Sequence, residues 1–474
     1  MYDRESVCKE VRLVPEKNVR GVRVTFGNLR GQVMPLHGIC GAPVSPGTNL
    51  CERYREIGVP FVRLHRTLSE GTGAYVDISR VFPVFELNEN DPENYDFAYT
   101  DLLIAAAVES GAQVIYRLGE SPDPSGICRH ARPPRYVSKW AKIAVQVIRH
   151  YNDGWANGFE YGIRYWEIWN EPDRFLADGR CPSFANGSPE QAHALYAAAA
   201  AAIKAYNPAL QVGGMSFAGC GEMAQAFLTL CGQEKTPLDF LSFHLYTTNP
   251  EEAVFAARDF AARATACGYP DLPLFLSEWN YFGLEYPFSV SPWDLAENRE
   301  GKYGEKAREM FSNLSGCIGA SFCSAAMARM QASGVHAACY FDGQPSSRFC
   351  GLFDRYGNPQ KPYYVFLAFG ELYRMGNCVQ TQCVGEGMYA LAARSSDTDD
   401  MGVLLTSFRG GATELLLEGI PTDRVYVAEL FLLDGTRDLS LVDTQTLTRE
   451  RIRFSLAMGK YSVMLIRIRA HAQK

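Results

Sequence analysis

Short apolar runs alternate with helix-like stretches from about residue 33 to 375. The candidate strands are 33–38, 59–65, 113–117, 163–170, 210–215, 238–245, 272–278 and 335–341. Helical spacing of apolar positions marks Asp101–Ser110, Val137–Tyr151, Glu190–Tyr206, Glu222–Cys231, Glu251–Cys267, Glu305–Ala332 and Tyr364–Met375 between and after them. Glu190–Tyr206 is dense in alanine and stops at Asn207-Pro208, as a helix should. Eight strand–helix units in series predict a parallel sheet, and eight is the number that closes a (β/α)8 TIM barrel. An open doubly wound sheet is the alternative, but no glycine-rich phosphate loop follows the first strand.

The period changes after Gly376. Segments 387–394, 401–408, 413–417, 425–433, 450–456 and 461–469 are short, often alternating, and punctuated by Gly, Asp and Thr. That pattern predicts an accessory β-sandwich. VRLV (11–14) and GVRVTF (21–26) share the alternation and are expected to add strands to it. The α/β chain is thus divided into N-terminal strands over 1–32, a catalytic barrel over 33–375 and a C-terminal sandwich over 376–474.

Composition narrows the partners. A net charge of −7 over 474 residues is mild and speaks against nucleic acid or an anionic membrane as partner. No apolar run reaches the roughly 18–20 residues of a membrane span, and the start MYDRESVCKEVRLV is charged throughout. The 14 cysteines are scattered, form no C-x-x-C pair, and in several cases (Cys231, Cys317, Cys323, Cys339) sit in apolar segments. They read as reduced, buried small hydrophobes of a cytoplasmic protein. Histidines are few and lack metal spacing, so neither a metal nor another cofactor is expected. A homo-oligomer is left open.

Two of the predicted strands carry the chemistry. WEIWNEPD (166–173) is an aromatic run ending in Asn170-Glu171-Pro172, where Pro172 stops the strand. LPLFLSEWN (272–280) ends at Glu278, followed by Trp279, Tyr281 and Phe282. Both place a glutamate at the C-terminal mouth of a core strand, where barrel enzymes keep their catalytic groups. Two carboxyl groups about 5–5.5 Å apart are the apparatus of a retaining glycoside hydrolase. Glu171 suits the acid: its flanks Trp169 and Pro172 are apolar, and a neighbouring carboxylate would raise its pKa. Asn170 beside it suits a substrate hydroxyl. Glu278 suits the nucleophile, kept ionised by polar neighbours.

These motifs resemble those of glycoside hydrolase family 39, the β-xylosidase and α-L-iduronidase family of the retaining (β/α)8 clan. The likeness spans about 33–375 and rests on HGICGAP (37–43), GVPFVRLHRTL (58–68), YWEIWNEPD (165–173), LQVGGMSFAG (210–219), LDFLSFHLYTT (238–248) and LSEWN (276–280). The resemblance implies Glu171 as general acid/base, Glu278 as nucleophile and Asn170 on a sugar hydroxyl. It further implies His65 and His244 lining the sugar pocket and Tyr246 on the nucleophile. Trp279 and Phe341 are counted with the substrate-binding residues. An exo-acting, β-xylosidase-like hydrolase of plant-type or dietary oligosaccharides is the function implied.

Departures from the family bear on the substrate. Phe243 stands where its β-xylosidases have an Arg before the strand-six His. Tyr340-Phe341-Asp342-Gly343-Gln344 replaces a Trp-Thr-Phe-Ser-Asp-like run. These leave α-L-arabinofuranosidase, β-glucosidase and uronidase activities open, alongside a silent carbohydrate-binding barrel or an unrelated metal-dependent lyase. The loop aromatics Tyr286, Phe288 and Trp293 suit sugar stacking as well as packing. Arg129, Arg132 and Arg135 would suit a uronate, though a solvated loop is the simpler reading.

Overall fold

The computed structural model describes residues 20–470 except 46, 66–74, 124–129, 176–178, 180, 283–301, 346 and 348. Segment 11–14, Arg129 and the loop aromatics Tyr286, Phe288 and Trp293 therefore lie outside the described residues.

Eight parallel strands close into a barrel. In chain order they are Gly38–Cys40, Phe61–Leu64, Gln113–Leu118, Tyr165–Ile168, Gln211–Phe217, Phe240–Thr247, Leu274–Tyr281 and Val335–Tyr340, here barrel strands one to eight. Strand eight closes the ring on strand one through Cys339 opposite Gly38. Strand one begins later than the 33–38 run. Pro35 has no N–H to give a ladder, and its carbonyl instead accepts from Ala338 N at 3.3 Å. Residues 33–37 are therefore a buried connector beneath the barrel. A short helix, Cys51–Ile57, which the apolar pattern did not mark, follows strand one.

Most helices fall where their periodicity put them, including Val137–Asp153, Pro189–Tyr206 and Glu252–Ala266. The single helix expected over 305–332 is two, Lys302–Ser315 and Cys317–Met330, parted at Gly316. Gly316 sits in an extended conformation, and a side chain there would meet the Ser312 carbonyl at 2.5 Å.

Val44–Ser45 and Thr48–Asn49 pair as a small hairpin, and the other strands form one nine-stranded sheet, in which Arg20–Gln32 runs between Asn377–Val384 and Gly411–Glu418. A single apolar cluster draws Val24, Leu415, Phe454, Tyr426 and Ile466 from across the strand order. The sheet therefore folds over its own core as a sandwich. Alternate residues face the barrel: Leu404 and Leu465 join the barrel core, whereas Val403 and Ile466 join the sandwich core. They meet the helices Cys317–Met330 and Lys361–Met375, where Thr406 donates to Ser324 at 2.6 Å and Arg467 pairs with Glu371 at 2.5 Å. Among the described residues no helix is long and apolar enough to cross a membrane, and the cysteines are free thiols.

Candidate active site

Inward-facing positions fill the barrel in layers. At its base the rings of Phe61, Tyr165, Phe240 and Phe275 interlock, with centroids 4.4 Å apart for Phe240–Phe275 and 5.5 Å for Phe61–Tyr165. Two residues further along strands two and four, the period-2 alternation brings Arg63 and Glu167 inward. Both are fully buried, and Arg63 Nε donates to Glu167 at 2.6 Å. A charge this deep persists only with partners. The rest of the guanidinium meets Glu278 at 2.7 Å, Asn170 Oδ1 at 2.8 Å and Ser216 Oγ at 3.0 Å. Burial works against the Arg63 charge, but Glu167 and Glu278 outweigh it and hold Arg63 above its ordinary range. Burial likewise pushes Glu167 up, and Arg63 overcomes it to leave Glu167 ionised.

Glu278 owes its direction to a β-bulge. Strand seven pairs Leu276 with Phe243 but Glu278 with His244, so one extra residue shifts the alternation between them. Phe275 and Glu278, three apart, both point inward. Besides Arg63, Glu278 accepts from the Tyr246 hydroxyl at 2.6 Å and lies 3.7 Å from His65 Nε2. Arg117 Nε donates to His65 Nδ1 at 3.0 Å, which leaves the imidazole proton on Nε2, toward Glu278. Burial, then the Arg117 and Arg63 charges, push His65 well below its usual range, so it stays neutral. Arg117 is itself bound by the Asp77 carboxylate.

Glu171 is aimed by the backbone beyond strand four. Trp169 and Glu171 adopt φ of 69° and 48°, in the left-handed region that costs a non-glycine residue energy. Trp169 is anchored by its indole N–H on the Ser183 carbonyl at 2.8 Å, and Glu171 N–H donates to Ser216 O at 3.0 Å. The Glu171 carboxylate receives His244 Nδ1 at 3.0 Å on one oxygen and Arg174 at 3.1 Å on the other. His244 Nδ1 also lies 3.5 Å from Glu278, so it bridges the two glutamates. One oxygen of each carboxylate and this nitrogen fall within 4.8 Å of one another. Such a trio has metal-ligand types, but Arg63 and Arg174 already place two cations on it, which opposes a third.

The expectation of a raised Glu171 pKa is corrected in the free protein. Burial does push it up, but Arg174 and His244 overcome that and bring it down to about 2. The apolar flank invoked for it is absent, since Trp169 turns away to pack against Trp140 and Phe184.

Of the residues singled out in the sequence, Glu171, Glu278, Asn170, His65, His244 and Tyr246 converge, and Phe341 stands 6.4 Å from the rings of both His65 and Tyr246. Trp279 does not join them. It is next to Glu278 on the strand, faces the helix layer, and packs against Phe322, Tyr340 and Phe366. Phe243 likewise points outward onto Phe260, so this departure leaves the pocket untouched. Arg132 and Arg135 are exposed, and Arg135 lies over the Tyr136 ring. Sequence reasoning missed Arg63, Glu167, Arg117 and Arg174. The first three had a signal: a lone charged residue inside a strand too apolar to face water.

Comparison with known proteins places this geometry. The profile of glycosyl hydrolases family 39 matches residues 46–287, just over half of the chain. A beta-xylosidase of Geobacillus stearothermophilus is 26% identical over 259 residues, covering 48% of this chain and 47% of that protein. One of Caldicellulosiruptor saccharolyticus is 25% identical over 312 residues, covering 59% and 60%. The chain thus spans about half the length of the curated relatives it matches. Among solved structures, a glucosidase from Croceicoccus marinus aligns with a TM-score of 0.77 at 23% identity, covering 96% of this chain and 100% of that one. A monomeric beta-xylosidase from Caulobacter crescentus CB15 aligns at 0.69 and 16%, with 96% and 100% covered. At these identities the likeness is one of fold.

Proposed function

The chain belongs to glycosyl hydrolases family 39, and on that premise we propose a retaining glycoside hydrolase, exo-acting and β-xylosidase-like, that cleaves plant-type or dietary oligosaccharides by double displacement. The observation that carries this reading is the approach of Glu171 and Glu278, whose nearest oxygens are within 4.8 Å. Inverting enzymes need roughly 6.5–9.5 Å between carboxyl groups to seat a water, and retaining ones about 5–5.5 Å.

Glu171 gives a proton to the leaving oxygen while Glu278 attacks the anomeric carbon, forming a glycosyl ester on Glu278. Water then attacks the same carbon from the vacated side, losing its proton to Glu171 and releasing Glu278. Arg63 and Tyr246 hold one oxygen each of Glu278 and fix its line of attack. Asn170 Nδ2 is buried with no partner among the described residues, which suits it to a sugar hydroxyl beside the reacting carbon. His65, His244 and Phe341 wall the sugar. Proton donation requires Glu171 to escape the hold of Arg174. A leaving group seated on Glu171 displaces that guanidinium, which is 25% exposed, and burial beside Glu278 then raises the acid.

We assign catalysis to 33–375, place the described residues 20–32 and 376–470 in the supporting sandwich, and locate the protein in the cytoplasm. A panel of aryl glycosides tests the reading together with two variants. Glu278→Ala should lose turnover and regain it with azide, giving a product of opposite anomeric configuration. Glu171→Ala should keep the first step on activated leaving groups and yield an azide product of retained configuration. Sugar binding without hydrolysis in the wild type would mark a silent binding barrel instead.

A further inference from the structure

We propose that Gln344 sets the sugar specificity of this site by accepting, at its buried Oε1, a hydrogen bond from one neutral hydroxyl of the bound sugar; this rests on the glycosidase reading above. Gln344 follows strand eight, in the run that departs from the family pattern. It is 3% exposed, and its Nε2 donates to the carbonyl of Ala42. A carbonyl can only accept, so the amide nitrogen must face Ala42, and Oε1 is left as an acceptor. That oxygen is buried without a partner among the described residues. Buried polar atoms seldom stay unpaired, and those that do call for a ligand or an ordered water.

The amide is not free to turn away. Gly41, with φ of 92°, lets it lie flat on the turn after strand one, where a Cβ would come within 2.9 Å of Gln344 Cγ. Its backbone N–H donates to Asp342 at 3.2 Å.

A recess of about 20 Å³ opens beside it, lined by the apolar Leu64, Val76 and Leu103 as well as by Gly41, Ala42, His65, Tyr75 and Gln344. Roughly 10–15 Å³ of such space holds one water, so the recess admits one hydroxyl-sized group and no second ring. His65 is the shared wall: it lines the recess, and its Nε2 is 3.7 Å from Glu278. To fill the recess, a sugar at Glu278 must extend one substituent past the His65 ring. Among the described residues the lining contains no Lys or Arg, and His65 is neutral. A carboxylate there would confront two acceptors, Oε1 and the Ala42 carbonyl, and has no proton to give to either. The corner selects a neutral hydroxyl over a uronate.

Calorimetric titration of the wild type and Gln344→Met with glucose, xylose, 6-deoxyglucose and glucuronate tests this, alongside hydrolysis of the matching aryl glycosides. The substitution should weaken the sugar that fills the recess about tenfold and leave a sugar lacking that hydroxyl unchanged. A loss confined to glucose identifies an exocyclic hydroxyl, and one shared by all three neutral sugars identifies a ring hydroxyl. Unchanged affinities for every neutral sugar, or glucuronate bound as tightly as glucose, would overturn the proposal. Should the variant not fold, the wild type alone decides: about tenfold weaker binding of one monodeoxy sugar supports the recess, and equal binding of all overturns it. Hydrolysis indifferent to Gln344 removes this inference alone. Sugar binding without hydrolysis removes the glycosidase reading alone, and no sugar binding removes both.

Discussion

Arg174 meets one oxygen of Glu171 while His244 meets the other, so a single carboxylate is held ionised from both sides. Its pKa of about 2 lies below the unfolded value of roughly 4.3. The linked stability is therefore present above about pH 4 and is lost as pH falls toward 2. Activity has the opposite requirement, because the donor must carry a proton. Arg174→Ala removes the nearest cation, so the basic limb of the kcat/KM profile should move up by about one to two pH units. An unmoved limb would show that Arg174 does not govern the acid. Arg63 acts on the other glutamate with no such conflict, since its guanidinium orients the Glu278 carboxylate.

Within the elements, local rules and tertiary constraints divide the control. The helix Pro189–Tyr206 is set locally: Ser188 Oγ accepts from Gln191 N–H at 3.3 Å, and the Gln191 side chain accepts from Ser188 N–H at 3.0 Å. Ser188→Ala should cost about 1 kcal/mol, read as a lower urea midpoint with kcat unchanged. Strand seven is set by its neighbours. The bulge between Leu276 and Glu278 is invisible in an apolar run, yet it turns Glu278 into the barrel and Trp279 out of it. Strand seven therefore runs on to Tyr281, three residues past its expected end at Glu278, and Trp279 faces away from the site. Asn377–Val384 and Ser440–Leu447 escaped the sandwich reading for a related reason. Their exposed positions carry Gln, Thr and Asp, and their apolar residues do not alternate cleanly.

For the molecule as a whole, barrel and sandwich share a face. Leu404 is 2% exposed and packs into the barrel core from a sandwich strand. Truncation to Ala should destabilise by about 2–5 kcal/mol. Because the residue belongs to both bodies, the loss should appear in a single thermal transition that takes activity with it. Two separate transitions, with only the later one tied to activity, would show that the barrel stands alone.

The sequence by itself determined the barrel, the change of period at Gly376 and the pair of glutamates near the C-terminal mouths of strands four and seven. Each is a local matter, because strand and helix periodicities are written in consecutive residues; where strand four stops is not, since it ends at Ile168 with the left-handed Trp169 and not at Pro172. Tertiary structure alone decided which charges meet. Arg63, Glu167 and Glu278 are 104 to 215 residues apart in pairs with Arg63, and only barrel closure sets them on one guanidinium. It also decided the protonation of Glu171: Arg174 lies only three residues on, but its turn back onto the carboxylate and the approach of His244 are set by the fold. The empty acceptor on Gln344 follows from the same cause. An amide becomes an unpaired buried acceptor only once the Ala42 carbonyl, some three hundred residues earlier, has taken its nitrogen.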